Sequence, residues 1–391
     1  MKRTMIAYTA LLLSLTILSG CWDEKAIQNL RYVSAIGIDF VDNQYVVYAQ
    51  AVAPSSVAKQ ENTSITGNAP AIIAIGRGDT LQNALDNIQK NSQVPQFYGF
   101  VSSLVFHERM LKKEILPTFD VLNRFSLLRY SMWVFGTREP LEKVFGNHSI
   151  VGFSPLVTLL HEPYDLFRER SFIEPIQYYK FTSTFWEPSN TVILPNVTIY
   201  KHSLKENDKF LTRPVIEGIH TIHRGKWQGF FQSTDLLGLR WMNPHTTYAS
   251  LIVRQKKQVK ATLRIQHVKL DVVPVPHTAG DPRFKITIHL NGFVKELMSN
   301  VSAEYIRSNA ETQVKEQVKA TYLKGIKKGS DVYGLESVLY KKDLQAWKAF
   351  AKNHDKKLSE DALAEVNVLV YLSDSGKMKL KWYDYPETLL P

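Results

Sequence analysis

The chain has 391 residues, of which 44% are hydrophobic and 11% aromatic, so it is long enough and apolar enough to form folded domains with buried cores. Its formal net charge of +11 suits a protein that lies against anionic lipid. Cys21 is the only cysteine in the chain, which excludes an intramolecular disulfide.

The first predicted element is a secretory signal peptide over residues 1–20. Lys2 and Arg3 precede an uncharged run that ends at Ser19, and this order is typical of an export signal. The apolar run is shorter than the roughly 20 residues that span a bilayer. We therefore expect Sec-dependent export and removal of the segment, which lowers the net charge from +11 to +9. Export also argues against a nucleic-acid partner.

The residues Leu18-Ser19-Gly20-Cys21 match the lipobox of bacterial lipoprotein signals. We predict cleavage between Gly20 and Cys21 and attachment of diacylglycerol and an N-acyl lipid to Cys21, with no other cofactor. Several acyl chains anchor a protein firmly, whereas one alone binds marginally. The alternatives are ordinary secretion with a free thiol and an uncleaved anchor. Trp22 and Asp23 follow directly and either contact the membrane interface, where an indole is favourable, or belong to a solvated tether.

The mature chain then alternates predicted strands and helices, which indicates an α+β fold. Two β-like runs, 32–40 and 44–53, flank the turn signal Asp42-Asn43, and a polar loop is predicted over 54–70. Further along, we predict a strand at 71–75, a helix that begins at Asp79-Thr80, a strand at 101–106, a helix with a central proline at 108–125 and a strand at 132–136. These elements define an N-terminal domain over residues 21–200.

A helical pattern with many aromatic side chains covers residues 154–180. The rings between residues 164 and 186 either line a ligand pocket or partner surface, or fill the core or a seam between domains. Prolines at 188 and 195 interrupt the pattern and indicate a domain boundary near Tyr200.

We predict a small middle domain over 201–250 and a C-terminal α+β domain over 251–391. The middle domain has a hairpin around Arg224-Gly225-Lys226 and a short helix capped by Ser233-Thr234-Asp235. The C-terminal domain has a bulged strand at 260–270, an alternating strand at 284–290 and a long helix with apolar residues every four positions from Ile306 to Ile326. A second helix at 344–350 and a terminal hairpin, 364–372 with 378–382, complete it.

No catalytic or metal site is predicted. There is no His-Glu-x-x-His motif, and His220 and His223 are three positions apart on a predicted strand, which directs them to opposite faces. The segment Gly76-Arg77-Gly78-Asp79 lacks the Gly-Lys-Ser/Thr of a phosphate loop and is interpreted as a strand-to-helix turn. The segment Gly152-Phe153-Ser154-Pro155-Leu156 lacks the second glycine of a nucleophile elbow.

Three motifs, in order along the chain, resemble those of the Ger(x)C family of spore germination lipoproteins. The first is Cys21-Trp22-Asp23-Glu24-Lys25 followed by Gly37-Ile38-Asp39. The second consists of Gly218, Lys226, Gly229, Asp235, Gly238 and Trp241. The third consists of Ser330-Asp331-Val332-Tyr333-Gly334, Leu339-Tyr340 and Trp347. The chain departs from the family pattern at Ala26, Asp235 and Glu336.

The resemblance implies the C subunit of a GerA-type nutrient germinant receptor, with three α+β domains in series. It places the chain on the outer face of the spore inner membrane, with membrane lipid and the integral-membrane A and B subunits as partners, and it implies no catalytic residue. We therefore expect a lipid-anchored, non-enzymatic receptor subunit. The alternatives are a stand-alone solute-binding lipoprotein that serves a transporter and an exported hydrolase that acts on cell-wall material.

Overall fold

A computed structural model describes Met5 and residues 30–52, 72–113, 115–125, 128–146, 156–206, 208–276, 281–352 and 357–373. Within these ranges the chain forms two mixed sheets with packed helices, which confirms the predicted α+β class. No helix in the described part of the chain combines the length and apolar character needed to cross a bilayer.

The first sheet spans most of the N-terminal half and has ten strands. They are β1 Arg31–Val41, β2 Gln44–Val52, β3 Ile72–Gly78, β4 Gln96–Phe97, β5 Ser103–His107, β6 Trp133–Thr137, β7 Ile176–Gln177, β8 Thr191–Glu206, β9 Lys209–His223 and β10 Lys226–Phe231. The main order is β10-β9-β8-β6-β5-β1-β2-β3, with β4 beside β1 and β7 beside β6. Strands β1, β5, β6 and β8 run parallel, so their carboxyl ends lie at one edge.

Helices cover both faces of this first sheet. They are α1 Leu81–Lys90, α2 Glu108–Lys112, α3 Leu116–Arg124, α4 Leu141–Phe145, α5 Pro163–Arg170 and α6 Tyr178–Trp186. One core contains side chains of α1, α2, α3 and α6, and the other contains α4. Strand β1 is buried continuously from Val33 to Asp39 because both of its faces are covered. Residues 30–231 are called the N-terminal unit below.

The second sheet has four strands in the order β11-β12-β13-β14. They are β11 Ala249–Gln255, β12 Gln258–Val275, β13 Arg283–Leu297 and β14 Leu363–Ser373. Helices α7 Ala303–Lys327, α8 Leu335–Lys342 and α9 Leu344–Ala351 complete residues 249–373, called the C-terminal unit below. The buried residues of α7, spaced by four from Ile306 to Val318, share one core with alternate residues of β13.

Several local predictions are confirmed. Asp42 and Asn43 both have positive φ in the turn between β1 and β2, as a two-residue hairpin requires. The hydroxyl of Thr80 caps α1 by accepting a hydrogen bond from the Asn83 amide at 3.1 Å. The predicted bulge in β12 is present as register shifts against β13. The long helix α7 ends before Gly329, which has φ +71°.

Other predictions were wrong. The single helix over 108–125 is two helices, because Pro117 lies in the first turn of α3, where its missing N–H costs nothing. The pattern over 154–180 contains α5 and the start of α6 with β7 between them. Ser233-Thr234-Asp235 is itself a 3-10 turn, and a second one spans Leu239–Met242. Helix α8 was missed. The predicted loop at 54–70 and the strand at 378–382 lie outside the described residues.

Residue 200, near which the sequence predicts a domain boundary, lies inside β8, and strands β8, β9 and β10 all belong to the first sheet. This placement follows from the pairing of β8 with β9, which extends from Thr191 to Glu206 and keeps the hairpin attached to the N-terminal strands. The predicted domain limits, including the one near residue 200, stay predictions.

Candidate functional site

The site residues predicted from the sequence lie outside the described residues. Gly20 and Cys21 at the cleavage and lipidation site, and Trp22 and Asp23 at the expected interface, all precede residue 30. These assignments therefore stay predictions. The part of the chain that the structure describes instead brings two of the family-like motifs together.

The mid-chain and C-terminal motifs meet where the β9–β10 hairpin packs against the segment that follows α7. The hydroxyl oxygens of Thr221 and Ser330 are 2.7 Å apart and both side chains are buried. An apolar seam surrounds this contact. Its buried members are Ile173, Ile219, Phe231, Leu236 and Val332. These five residues are called the seam cluster below. They come from the N-terminal unit, from the connecting turn at Leu236 and from the C-terminal unit at Val332, so the two motifs lie at the contact between the units.

Helix α7 holds the turn that connects the two units. The Gly238 amide donates to the Thr321 hydroxyl at 3.0 Å, and that hydroxyl donates to the Asp235 carbonyl at 3.0 Å. The Lys324 ammonium pairs with the Asp235 carboxylate. A Cβ at Gly238 would lie 2.5 Å from the carbonyl oxygen of Gln317, so the turn sits directly on the helix backbone. Glycine is therefore required here by close packing.

Two aromatic side chains of the same motifs bind α7 by polar contacts. The Trp241 indole N–H donates to Gln317 Oε1 at 2.7 Å, and the Tyr333 hydroxyl donates to the Val318 carbonyl at 2.9 Å. Trp241 is 1% exposed, so this contact buries its large apolar area and also gives its one polar atom a hydrogen-bond acceptor. The motif residues thus fix one orientation of the turn on the helix.

Two buried carboxyl groups lie at the edge of this contact. Asp331 accepts hydrogen bonds from the backbone amides of Tyr333 and Glu336, at 3.3 and 2.8 Å, and burial raises its pKa. Glu336 is 4% exposed, and burial, followed by repulsion from Asp331, raises its pKa to about 7. Its Oε2 atom accepts no hydrogen bond from the described residues.

Two basic side chains of the β9–β10 hairpin lie close to Glu336. Glu336 Oε2 lies 3.6 Å from Arg224 Nη2 and 3.8 Å from His223 Nε2. Burial lowers the pKa of His223, so the imidazole is neutral near pH 7. The arrangement can exchange a proton near neutral pH, and its Arg224 also lines a cleft between the two units.

Asp39 of the Gly37-Ile38-Asp39 motif is a buried carboxylate that forms an ion pair with a half-exposed arginine at the carboxyl ends of β1 and β5. Arg109 of α2 binds both carboxylate oxygens of Asp39, with Nε 3.0 Å from Oδ1. His107 Nδ1 lies 3.3 Å from the same oxygen, and burial lowers the pKa of this histidine. The bidentate pair offsets the cost of burying the carboxylate. It ties α2 to β1 and gives the motif a structural role.

The aromatic residues between 164 and 186 divide between the two predicted roles. Tyr178, Phe181 and Phe185 belong to the first core, and Phe172 packs against the seam cluster. Trp186 is 58% exposed and lines a cleft between the two units. In the described ranges, no group of three or more His, Cys, Asp or Glu side chains is arranged to hold a metal ion.

Two known spore germination domains match the chain. Residues 23–199 match the N-terminal domain of spore germination proteins, and residues 217–376 match the C-terminal domain described as spore germination B3/GerAC like. The chain belongs to the GerAC family of spore germination proteins. The resemblance seen in the sequence is thereby confirmed, and the family has a role in germination and is not known as a family of enzymes.

Individual members of the GerAC family are distant in sequence. The chain is 29% identical to spore germination protein KC of Bacillus subtilis (strain 168) over 127 residues, which are 32% of this chain and 31% of that protein. It is 22% identical to spore germination protein B3 of the same organism over 75% of each chain. The crystal structure of the GerBC protein superimposes with a TM-score of 0.52 at 16% identity, over 90% of this chain and all of that one. The last match supports the fold alone.

Proposed function

We propose that this GerAC-family chain is a lipid-anchored, non-catalytic subunit of a nutrient germinant receptor. The observation that carries the proposal is the match of both halves, residues 23–199 and 217–376, to germination domains. The chain acts beside integral-membrane A and B subunits on the outer face of the spore inner membrane.

The lipid tether explains how weak contacts with the membrane subunits are sufficient to hold the receptor together. Lipid on Cys21 confines the folded units to the membrane surface, so binding to membrane-embedded partners becomes effectively intramolecular. The net charge of +9 after removal of residues 1–20 adds attraction to anionic lipid. The chain thus provides a binding surface that is held at the membrane, and the A and B subunits form the part of the receptor that crosses the bilayer.

The test uses spores that lack this gene, complemented with the wild-type chain, Cys21→Ala or Ser19→Ala. We expect the deletion to abolish dipicolinic acid release for particular nutrients and the wild-type gene to restore it. Cys21→Ala removes the lipid attachment point and reduces both the response and the chain recovered with the inner membrane. Ser19→Ala keeps a small residue in the lipobox and serves as the matched control.

Two results would contradict the proposal. Full membrane retention and full nutrient response in the Cys21→Ala spores would exclude the lipid anchor as a requirement. The transporter-linked alternative would be favoured if the chain cross-linked to a permease and an ATPase and if the deletion strain lost solute uptake.

A further inference from the structure

The amino-terminal edge of the first sheet carries a group of aromatic side chains at the surface. This edge is the one at which the parallel strands β1, β5 and β6 begin. The rings come from the start of β1, from the segments that lead into β5 and β6, and from the start of α6. They are Tyr32, Phe97, Phe100, Tyr130 and Tyr179, and these five residues are called the aromatic edge below.

The aromatic edge is one continuous surface. The ring centres of Tyr32 and Phe100 are 5.4 Å apart, and the Arg129 guanidinium lies 5.4 Å from the centre of the Phe100 ring. The Tyr179 amide donates to the carbonyl of Tyr130, the residue after Arg129, at 2.9 Å. Phe100, Tyr130 and Tyr179 are 54%, 56% and 55% exposed, so more than half of each side chain is available to a partner.

The charged residues of this edge are all basic. The four segments that form it contain three cationic side chains and no Asp or Glu. The segments are 30–34, 95–102, 128–133 and 177–180. The cations are Arg31, Arg129 and Lys180. Exposed aromatic rings beside basic side chains suit the surface of an anionic bilayer, where the rings lie at the level of the headgroups and the cations approach the phosphates.

The path of the chain brings the aromatic edge close to the predicted lipid. Strand β1 begins at Arg31 on this edge, and Cys21 precedes residue 30 by nine positions. Nine residues span at most about 30 Å when fully extended. The aromatic edge is therefore the part of the first sheet that is nearest to Cys21 along the chain.

We infer that the aromatic edge lies against an anionic bilayer. Phe100, Tyr130 and Tyr179 lie at the depth of the lipid headgroups, and Arg129 and Lys180 lie beside lipid phosphates. The carboxyl ends of β1, β5 and β6 then face away from the membrane. The inference rests on the lipid anchor of the proposed function, and it adds which face of the folded chain meets the lipid.

The test measures the depth of nitroxide labels on the full, lipidated chain in vesicles of equimolar phosphatidylcholine and phosphatidylglycerol, without the A and B subunits. The labels are attached to single introduced cysteines, Phe100→Cys, Tyr130→Cys or Tyr179→Cys. Tyr200→Cys is the matched control, because Tyr200 is 47% exposed where β8 extends past the carboxyl end of β6. We expect the first three labels to collide more with oxygen, which concentrates in lipid, than with a water-soluble nickel chelate. The label at position 200 should show the reverse.

A second measurement tests the charges. Omission of phosphatidylglycerol should shift the label of Phe100→Cys towards water, because the cations lose their anionic headgroups. The double change Arg129→Gln and Lys180→Gln should abolish this shift. The double change Lys257→Gln and Lys269→Gln, at exposed lysines of the C-terminal unit, removes the same charge and should leave the shift as in the parent chain. Unchanged unfolding temperatures would show that the variants are folded.

The inference is overturned if the chain is recovered with the vesicles but the labels at 100, 130 and 179 meet the nickel chelate as often as the label at 200. That result would assign the aromatic edge to a protein partner instead. An equal shift in the Arg129→Gln, Lys180→Gln variant and the parent chain would also overturn it. Labelling of the wild-type chain would show a thiol at Cys21 that carries no lipid, which overturns the anchor and the inference with it, so the two failures are distinguishable.

Discussion

Among single residues, Glu336 makes the stability of the fold depend on pH. Its pKa is about 7 in the folded chain and 4.5 for an ordinary glutamate, so between these values the folded state holds a proton that the unfolded state has released. The free energy of unfolding therefore falls as pH rises from 4.5 to 7, and the whole penalty, about 3 kcal/mol, is present above pH 7.

Glu336→Gln should remove this dependence because the amide has the shape of the protonated acid. We expect the variant to unfold at a higher temperature than the wild type at pH 8 and at the same temperature near pH 4.5, in thermal unfolding followed by circular dichroism. Glu316→Gln, which makes the same charge change at an exposed position of α7, is the control. A difference that did not change with pH would contradict this assignment.

A substitution at Gly238 is a second test at the scale of single residues, and it concerns close packing. Gly238→Ala would place a methyl 2.5 Å from the Gln317 carbonyl oxygen and 2.7 Å from the Val318 Cα. We expect a loss of about 1–3 kcal/mol in the free energy of unfolding, measured in urea. Gly229→Ala is the control, since its nearest neighbour would be 3.5 Å away and both changes restrict the unfolded chain equally. Equal stability of the two variants would exclude a crowding effect at Gly238.

At the scale of elements, one hydroxyl of α7 makes two of the hydrogen bonds to the connecting turn. Thr321→Val keeps the shape but leaves the Gly238 amide and the Asp235 carbonyl without their partner, which should cost about 1–3 kcal/mol. Hydrogen exchange of the Gly238 amide should accelerate. Thr312→Val, at an exposed threonine of the same helix, should leave that exchange rate unchanged. Slow exchange at Gly238 in Thr321→Val would show that another group protects it.

Elements with a local signal were predictable from the sequence. Helix α7 and strand β13 have regular apolar periods, and the turns at Asp42-Asn43 and Arg224-Gly225 have residues suited to positive φ. Elements set by distant contacts were not predictable. Residues 233–242 form 3-10 turns pressed onto α7, and capping residues alone cannot distinguish these from a helix.

For the whole molecule, the seam cluster couples the N-terminal and C-terminal units. Val332→Ala shortens a side chain that is 2% exposed within that cluster and should cost about 1–3 kcal/mol. We expect faster hydrogen exchange in β9 and β10, on the other side of the seam. Val314→Ala, an equal truncation inside the C-terminal core, should accelerate exchange in its own unit alone. Unchanged exchange in β9 and β10 of Val332→Ala would show that the units are independent.

The candidate site emerges only at this scale. Thr221 and Ser330 are 109 positions apart, so no periodicity or spacing could place them together. The motifs themselves were visible in the sequence, but their meeting was not. Glu336 was visible only as a departure from the family pattern, because its raised pKa comes from burial beside Asp331.

The parallel pairing of β13 with β14 has a consequence for biosynthesis. Residues 298–362, including all of α7, lie between these strands, so β13 remains an open edge until the last described strand has been made. Such an edge can pair with another chain, and long loop closure delays its completion. A chain that stalls or is truncated before residue 363 therefore presents an unpaired β13 edge, at which it can aggregate with other chains.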